Sequence, residues 1–186
     1  MRILALSGSL RAESYNTALV RAAAELCPDG IEVELYDGLG RLPFYDQDLD
    51  QPGIEPETVR DLRERIERAD ALLIVTPEYN GSVPGVLKNA LDWVSARHRG
   101  SALANKTVAI AGATTGQYGA IWAQQDLRKV LGIAGARVID GDLPVSRAQD
   151  AFDAGLRLVD GLVRERLETH LDSLVRECAP AAAIAA

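Results

Sequence analysis

Three short stretches of this sequence mix hydroxyl, amide and charged side chains with glycine, as ligand-binding loops do. The first, SGSLRAESYN at residues 7–16, supplies the hydrogen-bonding side chains of Ser9, Ser14 and Asn16 and the positive charge of Arg11. A guanidinium is a fixed fork of donors that suits phosphate, and a helix beginning here would direct free N–H groups at the same place. The stretch therefore favours phosphate binding, although a plain strand-to-helix turn with Ser14 as the N-cap explains it almost as well. It matches neither the GxxxxGK[ST] nor the GxGxxG phosphate loop.

The second and third stretches are TPEYNGSVPG at residues 76–85 and GATTGQYG at residues 112–119. In the second stretch Tyr79 offers a flat surface, and the main-chain N–H groups around it could face a planar heterocycle. A capped helix start would explain Ser82, but it requires neither Tyr79 nor Asn80. The second stretch is therefore the more specific indication of a ligand.

Short apolar runs, typical of buried strands, alternate along the chain with the spacing of amphipathic helices. The apolar runs are residues 3–6, 31–35, 71–75, 108–111 and 137–139. The helical patterns are residues 18–26, 59–69, 83–94, 127–134 and 156–174.

This alternation predicts an α/β fold with a parallel sheet and helices on both of its faces. Five strands and five helices suggest the doubly wound strand order 2-1-3-4-5. We expect residues 1–178 to form a single domain and residues 179–186 to fray. Ligands of such sheets bind beyond the carboxyl ends of the strands, and the three stretches follow predicted strands 1, 3 and 4.

The composition argues against several classes of protein. Twenty Lys and Arg residues against 27 Asp and Glu residues give a formal net charge of −7, so we expect neither a nucleic acid partner nor binding to an anionic membrane surface. No apolar run approaches the roughly 18 residues of a membrane-spanning helix, and the N-terminal run is too short for a signal peptide. Cys27 and Cys178 form no CxxC motif, which suggests free thiols in the reducing cytoplasm. The two histidines, His98 and His170, are far apart, so no metal site is expected.

Two longer segments carry a resemblance to a known family. GSLRAESYN at residues 8–16, together with PEYNGSVPGVLKNALDWVS at residues 77–95, resembles the NADPH-dependent FMN reductase family with its quinone and chromate reductase relatives. The resemblance extends from residue 2 to about residue 140. It implies a flavodoxin-like three-layer sandwich that holds FMN and uses NADPH or NADH as cosubstrate.

The resemblance also implies a set of cofactor-binding residues. Side chains of the first stretch would hold the FMN phosphate, residues of the second would line the isoalloxazine ring and the ribityl chain, and residues of the third would close the other edge of the ring. The predicted set is Ser9, Arg11, Ser14, Tyr15 and Asn16 from the first stretch, Pro77, Glu78, Tyr79, Asn80 and Ser82 from the second, and Thr115 and Gly116 from the third. No catalytic side chain is expected, because the flavin itself carries the hydride chemistry.

The implied function is an FMN-dependent NAD(P)H oxidoreductase that passes electrons to quinones, free flavin or other small acceptors, azo compounds and chromate included, by a ping-pong mechanism. The alternative is a flavodoxin-type electron carrier that serves a redox protein partner, which the charge of −7 would suit. Such carriers typically have a phosphate loop without an arginine, unlike Arg11 here. A third hypothesis is a fold relative that binds a nucleotide for regulation.

Assembly is expected as a homodimer or homotetramer. Trp93 lies off the main apolar stripe of its helix, which predicts either the edge of the core or a dimer surface, and we favour the dimer surface. Residues 41–53 read as a surface loop, because their Asp46, Asp48 and Asp50 lack the glycine that a calcium loop requires. Arg97, His98 and Arg99 are interpreted as basic residues at the C-terminus of the helix that starts at Ser82, where positive charge is favourable.

Overall fold

Buried apolar runs form a parallel sheet whose strand order is β2-β1-β3-β4-β5, as predicted. The computed structural model describes residues 1–51, 53–95 and 100–178. The predicted frayed tail at residues 179–186 and the basic residues 97–99 lie outside this described part. The strands are β1 Arg2–Ser7, β2 Glu32–Tyr36, β3 Ala71–Val75, β4 Thr107–Ala113, β5 Arg137–Val138 and β6 Leu143–Val145.

Helices cover both faces of this sheet, so each central strand supplies two hydrophobic cores. Along β1, Ile3 and Ala5 belong to one buried cluster while Leu4 and Leu6 belong to the other. Such two-sided burial explains why the central strands are apolar at nearly every position. The helices are α1 Tyr15–Leu26, α2 Glu57–Arg68, α3 Gly85–Val94, α4 Ile121–Ile133, α5 Ala148–Ala151 and α6 Gly161–Cys178, with a short 3-10 turn at Leu39–Arg41. No described helix is long and apolar enough to cross a membrane.

The predicted final helix over residues 156–174 is wrong at its start. Leu156 has a left-handed φ of 59°, and Phe152 forms an antiparallel bridge with Leu158, so this segment is a small hairpin. The helix begins only at Gly161. The apolar residues of the hairpin happened to continue the helical spacing, which periodicity alone cannot distinguish from a longer helix.

Trp93 belongs to the core, so its expected place on a dimer surface is wrong. Its side chain is 0% exposed, and its indole Nε1 donates a hydrogen bond to the carbonyl of Pro43 at 2.8 Å. Tyr45 packs edge-on against the same indole, with ring centres 5.0 Å apart. The spacing of apolar residues within the helix could not reveal this, because the loop that covers Trp93 comes from a distant part of the chain.

The edge strand next to β4 is broken into two short strands, β5 and β6, whereas a single strand over residues 137–139 was predicted. Both β5 and β6 pair with β4, at Val108↔Val138 and then at Ala111↔Leu143. Between these pairs the carbonyl of Ile110 receives a hydrogen bond from the imidazole Nε2 of the buried His170, on α6, at 2.9 Å. A helix side chain therefore replaces the strand partner at this break.

We predict that His170→Ala lowers the free energy of unfolding by about 2 kcal/mol, because it leaves the buried Ile110 carbonyl without a partner. Burial lowers the pKa of His170, against smaller opposing effects of the Ile110 hydrogen bond and the charge of Asp142. A lowered pKa means that the unfolded chain binds the proton more tightly. His170 should therefore cost no stability above its ordinary pKa of about 6.5 and should weaken the fold increasingly as the pH falls below that value.

Urea unfolding of the parent and of His170→Gln between neutral and mildly acidic pH checks this prediction. The carboxylates titrate in both proteins, so the difference between the two curves isolates the histidine. Parallel curves for the two proteins would contradict the assignment.

Candidate functional site

The loops that follow β1, β3 and β4 meet at one edge of the sheet. We call them the first loop (residues 8–14), the second loop (residues 76–84) and the third loop (residues 114–120). Together with the start of α1 they line a cavity of about 210 Å³. Nine of the twelve predicted site residues line it, namely Ser9, Arg11, Ser14, Tyr15, Asn16, Pro77, Glu78, Tyr79 and Thr115.

Ser14 is the N-cap of α1 and lines the end of the cavity nearest to that helix. Its hydroxyl oxygen accepts hydrogen bonds from the main-chain N–H groups of Asn16 at 3.2 Å and Thr17 at 3.4 Å. A hydroxyl has two acceptor positions and one donor, so Ser14, which lines the cavity, still has its O–H to donate to a ligand. The helix cap and the anion site, which were alternatives from sequence, are therefore compatible.

Arg11 brings a positive charge to the rim of the same cavity. Its guanidinium carbon lies 5.8 Å from the centre of the Tyr15 ring, in a cation–π arrangement, and the residue is exposed. Within residues 1–51, 53–95 and 100–178, no carboxylate forms an ion pair with it. In a chain of net charge −7, this leaves a cation available for an anionic ligand.

Asn16, in the first turn of α1, is hydrogen-bonded to Ala113 at the end of β4. The residue is 4% exposed, and its amide oxygen accepts from the N–H of Ala113 at 2.9 Å while its amide nitrogen donates to the carbonyl of Ala113 at 3.0 Å. The predicted direct contact with phosphate is thus limited to the one N–H that remains on the amide. Its main contribution is to fix the distance between two walls of the cavity.

A close backbone contact joins the first and second loops. A side chain at Gly8 would place its Cβ 3.1 Å from Pro77 Cδ and 3.2 Å from Leu87 Cδ2. Gly8 also donates its N–H to the carbonyl of Val75 at 2.8 Å. A larger residue would therefore push these two side chains away by a few tenths of an ångström, so glycine favours the close approach of the two loops.

Asn80 lies outside the lining of the cavity, so its contact with the flavin stays a prediction. Asn80 and Gly81 have left-handed φ values of 53° and 75°, and Tyr79 and Ser82 on either side exchange main-chain hydrogen bonds of 3.0 and 3.1 Å. An Asn-Gly pair is the preferred sequence for such a tight turn. The turn presents Tyr79, which is 56% exposed, at the edge of the cavity.

Glu78 and Ser82 tie the second loop to α4. The Oε2 atom of Glu78 accepts from the N–H groups of Trp122 at 3.1 Å and Ala123 at 3.2 Å, and thereby caps a helix whose own cap residue, Ala120, has no capping side chain. The hydroxyl of Ser82 donates to the carboxylate of Asp126 at 2.5 Å. Ser82 lies outside the cavity lining, so its role as a ligand contact stays a prediction.

Gly116 lies outside the lining too, while Ala113 and Thr114, which were not predicted, contribute to it. The carbonyl of Gly116 faces the end of β6 instead, where it accepts from the N–H of Arg147 at 2.9 Å. The glycine at position 112, inside the apolar run of β4, was the feature of the sequence that could have indicated that the end of β4 lines the site. A Cβ there would lie 2.8 Å from the carbonyl oxygen of Thr76, so glycine lets the third loop approach the second.

The arrangement has the features that an FMN site needs. The phosphate would meet the Arg11 guanidinium, the Ser14 hydroxyl and the N-terminus of α1, and the flat ring would lie at the edge formed by Tyr79 and the second loop. A doubly wound parallel sheet with such a site beyond β1 defines a protein of the flavodoxin-like class.

Comparison with known proteins identifies the family within this class. The family model for NADPH-dependent FMN reductase matches residues 1–150, and the chain belongs to this family. The resemblance inferred from the two sequence segments is thereby confirmed.

Named relatives and a solved structure agree with this placement. An NAD(P)H-dependent FMN reductase of Pseudomonas aeruginosa is 42% identical over 94% of this chain and 93% of its own length. A 2-hydroxy-1,4-benzoquinone reductase of a Burkholderia species is 38% identical over 92% of this chain and 93% of its own. The solved structure of FerB, a flavoenzyme NAD(P)H:(acceptor) oxidoreductase from Paracoccus denitrificans, superposes with a TM-score of 0.83 at 30% identity, covering 94% of this chain and 97% of that one.

We predict that Glu78→Ala lowers the free energy of unfolding by about 1 kcal/mol, the usual effect of removing a helix cap. Glu78→Gln should lose less, because its amide oxygen still accepts from the α4 N-terminus although the charge is gone. Urea denaturation of the flavin-free protein measures both changes. Glu25→Ala is the matched control, since Glu25 is exposed on α1. Equal small effects of Glu78→Ala and Glu25→Ala would show that the cap contributes nothing.

Proposed function

We propose that this protein binds FMN in the cavity at the strand ends and uses it to carry electrons from NAD(P)H to a small acceptor of the quinone class. The observation that carries the proposal is the position of Arg11, which has no ion-pair partner in the described part of the chain, beside the N-cap hydroxyl of Ser14 in the lining of one cavity. Three converging phosphate-binding elements beside an exposed aromatic edge fit a flavin mononucleotide. The quinone reductases and FMN reductases among the relatives support the choice of acceptor.

When bound, FMN would supply the hydride chemistry that links NAD(P)H to the acceptor. The protein contributes an anchor for the phosphate at Arg11 and a fixed position for the ring between the second and third loops. Main-chain N–H groups of these loops are the natural donors to the polar edge of the ring, where they would favour the reduced anionic form. A single exposed rim, used by NAD(P)H and the acceptor in turn, corresponds to ping-pong kinetics.

We further propose that the protein acts in the cytoplasm as a homodimer or homotetramer. Phe44 supports an assembly of this kind, because it is 90% exposed on a loop that is held firmly in place. The carbonyl of the preceding Pro43 accepts hydrogen bonds from both Asn89 and Trp93, each at 2.8 Å. A large apolar side chain fixed in solvent suits a contact with a second copy of the chain.

Steady-state assays separate this function from that of an electron carrier. The purified protein is loaded with FMN and supplied with NADH or NADPH, and turnover is measured with quinones, free FMN, an azo dye and chromate. Sustained oxidation of NAD(P)H by a quinone supports the proposal. Turnover that appears only when a redox protein partner is added would favour the carrier. A protein that takes up no FMN would favour a regulatory nucleotide-binding role.

We predict that Arg11→Ala raises the dissociation constant for FMN by about ten- to a hundredfold, the usual contribution of a charge-assisted hydrogen bond. The affinity for riboflavin, which lacks the phosphate, should change little. Quenching of flavin fluorescence on titration measures both constants.

Arg21→Ala is the control for the Arg11 variant, since Arg21 is another exposed arginine and lies on α1, outside the cavity lining. Equal losses of FMN and riboflavin affinity in Arg11→Ala would contradict the phosphate role. Unfolding curves that match the parent's confirm that the fold is intact.

A further inference from the structure

A second cavity adjoins the proposed FMN site on the side of Arg11. Its volume is about 400 Å³, against about 210 Å³ for the first. The two cavities share Arg11, Tyr15 and Thr115 as lining residues but share none of the second loop. The larger one therefore continues the site beyond Arg11, on the side away from Tyr79 and the second loop.

The outer wall of this second cavity is a hairpin at residues 152–158. The Asp153 N–H donates to the carbonyl of Arg157 at 3.0 Å, and the Asp153 carboxylate accepts from the N–H groups of Gly155 and Arg157, both at 2.9 Å. Phe152 at the base of the hairpin packs on Tyr15 of α1, with ring centres 5.6 Å apart. The cavity is thus bounded by hydrogen-bonded structure on both sides.

The charges around the cavity suit a nucleotide. Arg11 stands where the two cavities meet, so its guanidinium can face two linked phosphates, one from each side. The charge of Asp153 is neutralised by its ion pair with Arg157 at 2.8 Å. Glu13 also lines the cavity and is exposed, and a carboxylate in such a position can accept hydrogen bonds from ribose hydroxyls, as acidic residues do in dinucleotide sites.

We propose that the second cavity accepts the adenosine monophosphate half of flavin adenine dinucleotide, so that the protein can hold FAD in place of FMN. The proposal rests on the FMN site, because the flavin half would occupy that site unchanged and the pyrophosphate would lie at Arg11. A nicotinamide dinucleotide does not fit the same assignment, since its reactive end must reach the flavin ring beside Tyr79.

Equilibrium titration of the flavin-free protein with FMN and with FAD tests the assignment. The parent should bind FAD with a dissociation constant within about tenfold of that for FMN. Ala154 is an exposed residue of the cavity lining, so Ala154→Trp fills the cavity from the hairpin. This variant should weaken FAD binding at least about tenfold and leave FMN binding unchanged. Ala154→Ser, which adds little volume, is the matched control.

The remaining outcomes overturn the proposal. Rejection of FAD by the parent, or equal effects of Ala154→Trp on both flavins, would show that the cavity holds no nucleotide half of FAD. A third titration adds adenosine monophosphate to the FMN-loaded protein. Binding there, together with rejection of FAD, would mean a separate nucleotide site. Failure to bind either flavin would instead remove the proposed function itself, so the two failures are distinguishable.

Discussion

The buried amide of Asn16 forms two hydrogen bonds with the main chain of Ala113, and the geometry of the site depends on them. One residue thereby fixes the start of α1 against the end of β4, 97 residues further along the chain. The in-register pairing of β1 with β3 and of β3 with β4 brings the same ends together. Because both constraints are made within the protein, the walls of the cavity are positioned before any ligand binds.

Two helices begin at this edge, and the protein treats their N-termini differently. The N-terminus of α4 is capped by the negatively charged carboxylate of Glu78, which would repel a second anion. The N-terminus of α1 is capped by the neutral Ser14 and has Arg11 beside it. A phosphate would therefore bind at α1, and the rest of a flavin would extend toward the second and third loops. The positive charge is local, which reconciles an anionic cofactor with a chain of net charge −7.

The strand order and the edge of the sheet that holds the cavity could be predicted from apolar runs and one topological rule. Most of the nine lining residues were instead implied by the resemblance of two sequence segments to the FMN reductase family. Buried strands read as apolar runs, and ligands of parallel sheets bind beyond their carboxyl ends. Asn80 and Ser82 adjoin the cavity in sequence but are not part of its lining, since one forms a turn and the other contacts Asp126 on α4. The core position of Trp93 and the partner of His170 depend on segments far away in sequence, which periodicity within one helix does not reveal. The start of α6 was misplaced because a hairpin can imitate helical spacing.

The central claim is that a flavin held at Arg11 and Ser14 takes electrons from NAD(P)H and gives them to a quinone. An anaerobic titration of the FMN-loaded protein, followed by the visible absorbance of the flavin, tests it most directly. We predict that one equivalent of NAD(P)H per bound FMN bleaches the flavin, and that a quinone added afterwards restores the oxidised spectrum without further reductant. A flavin that stays oxidised in the presence of NADH and NADPH, or a reduced flavin that quinones do not reoxidise, would contradict the account.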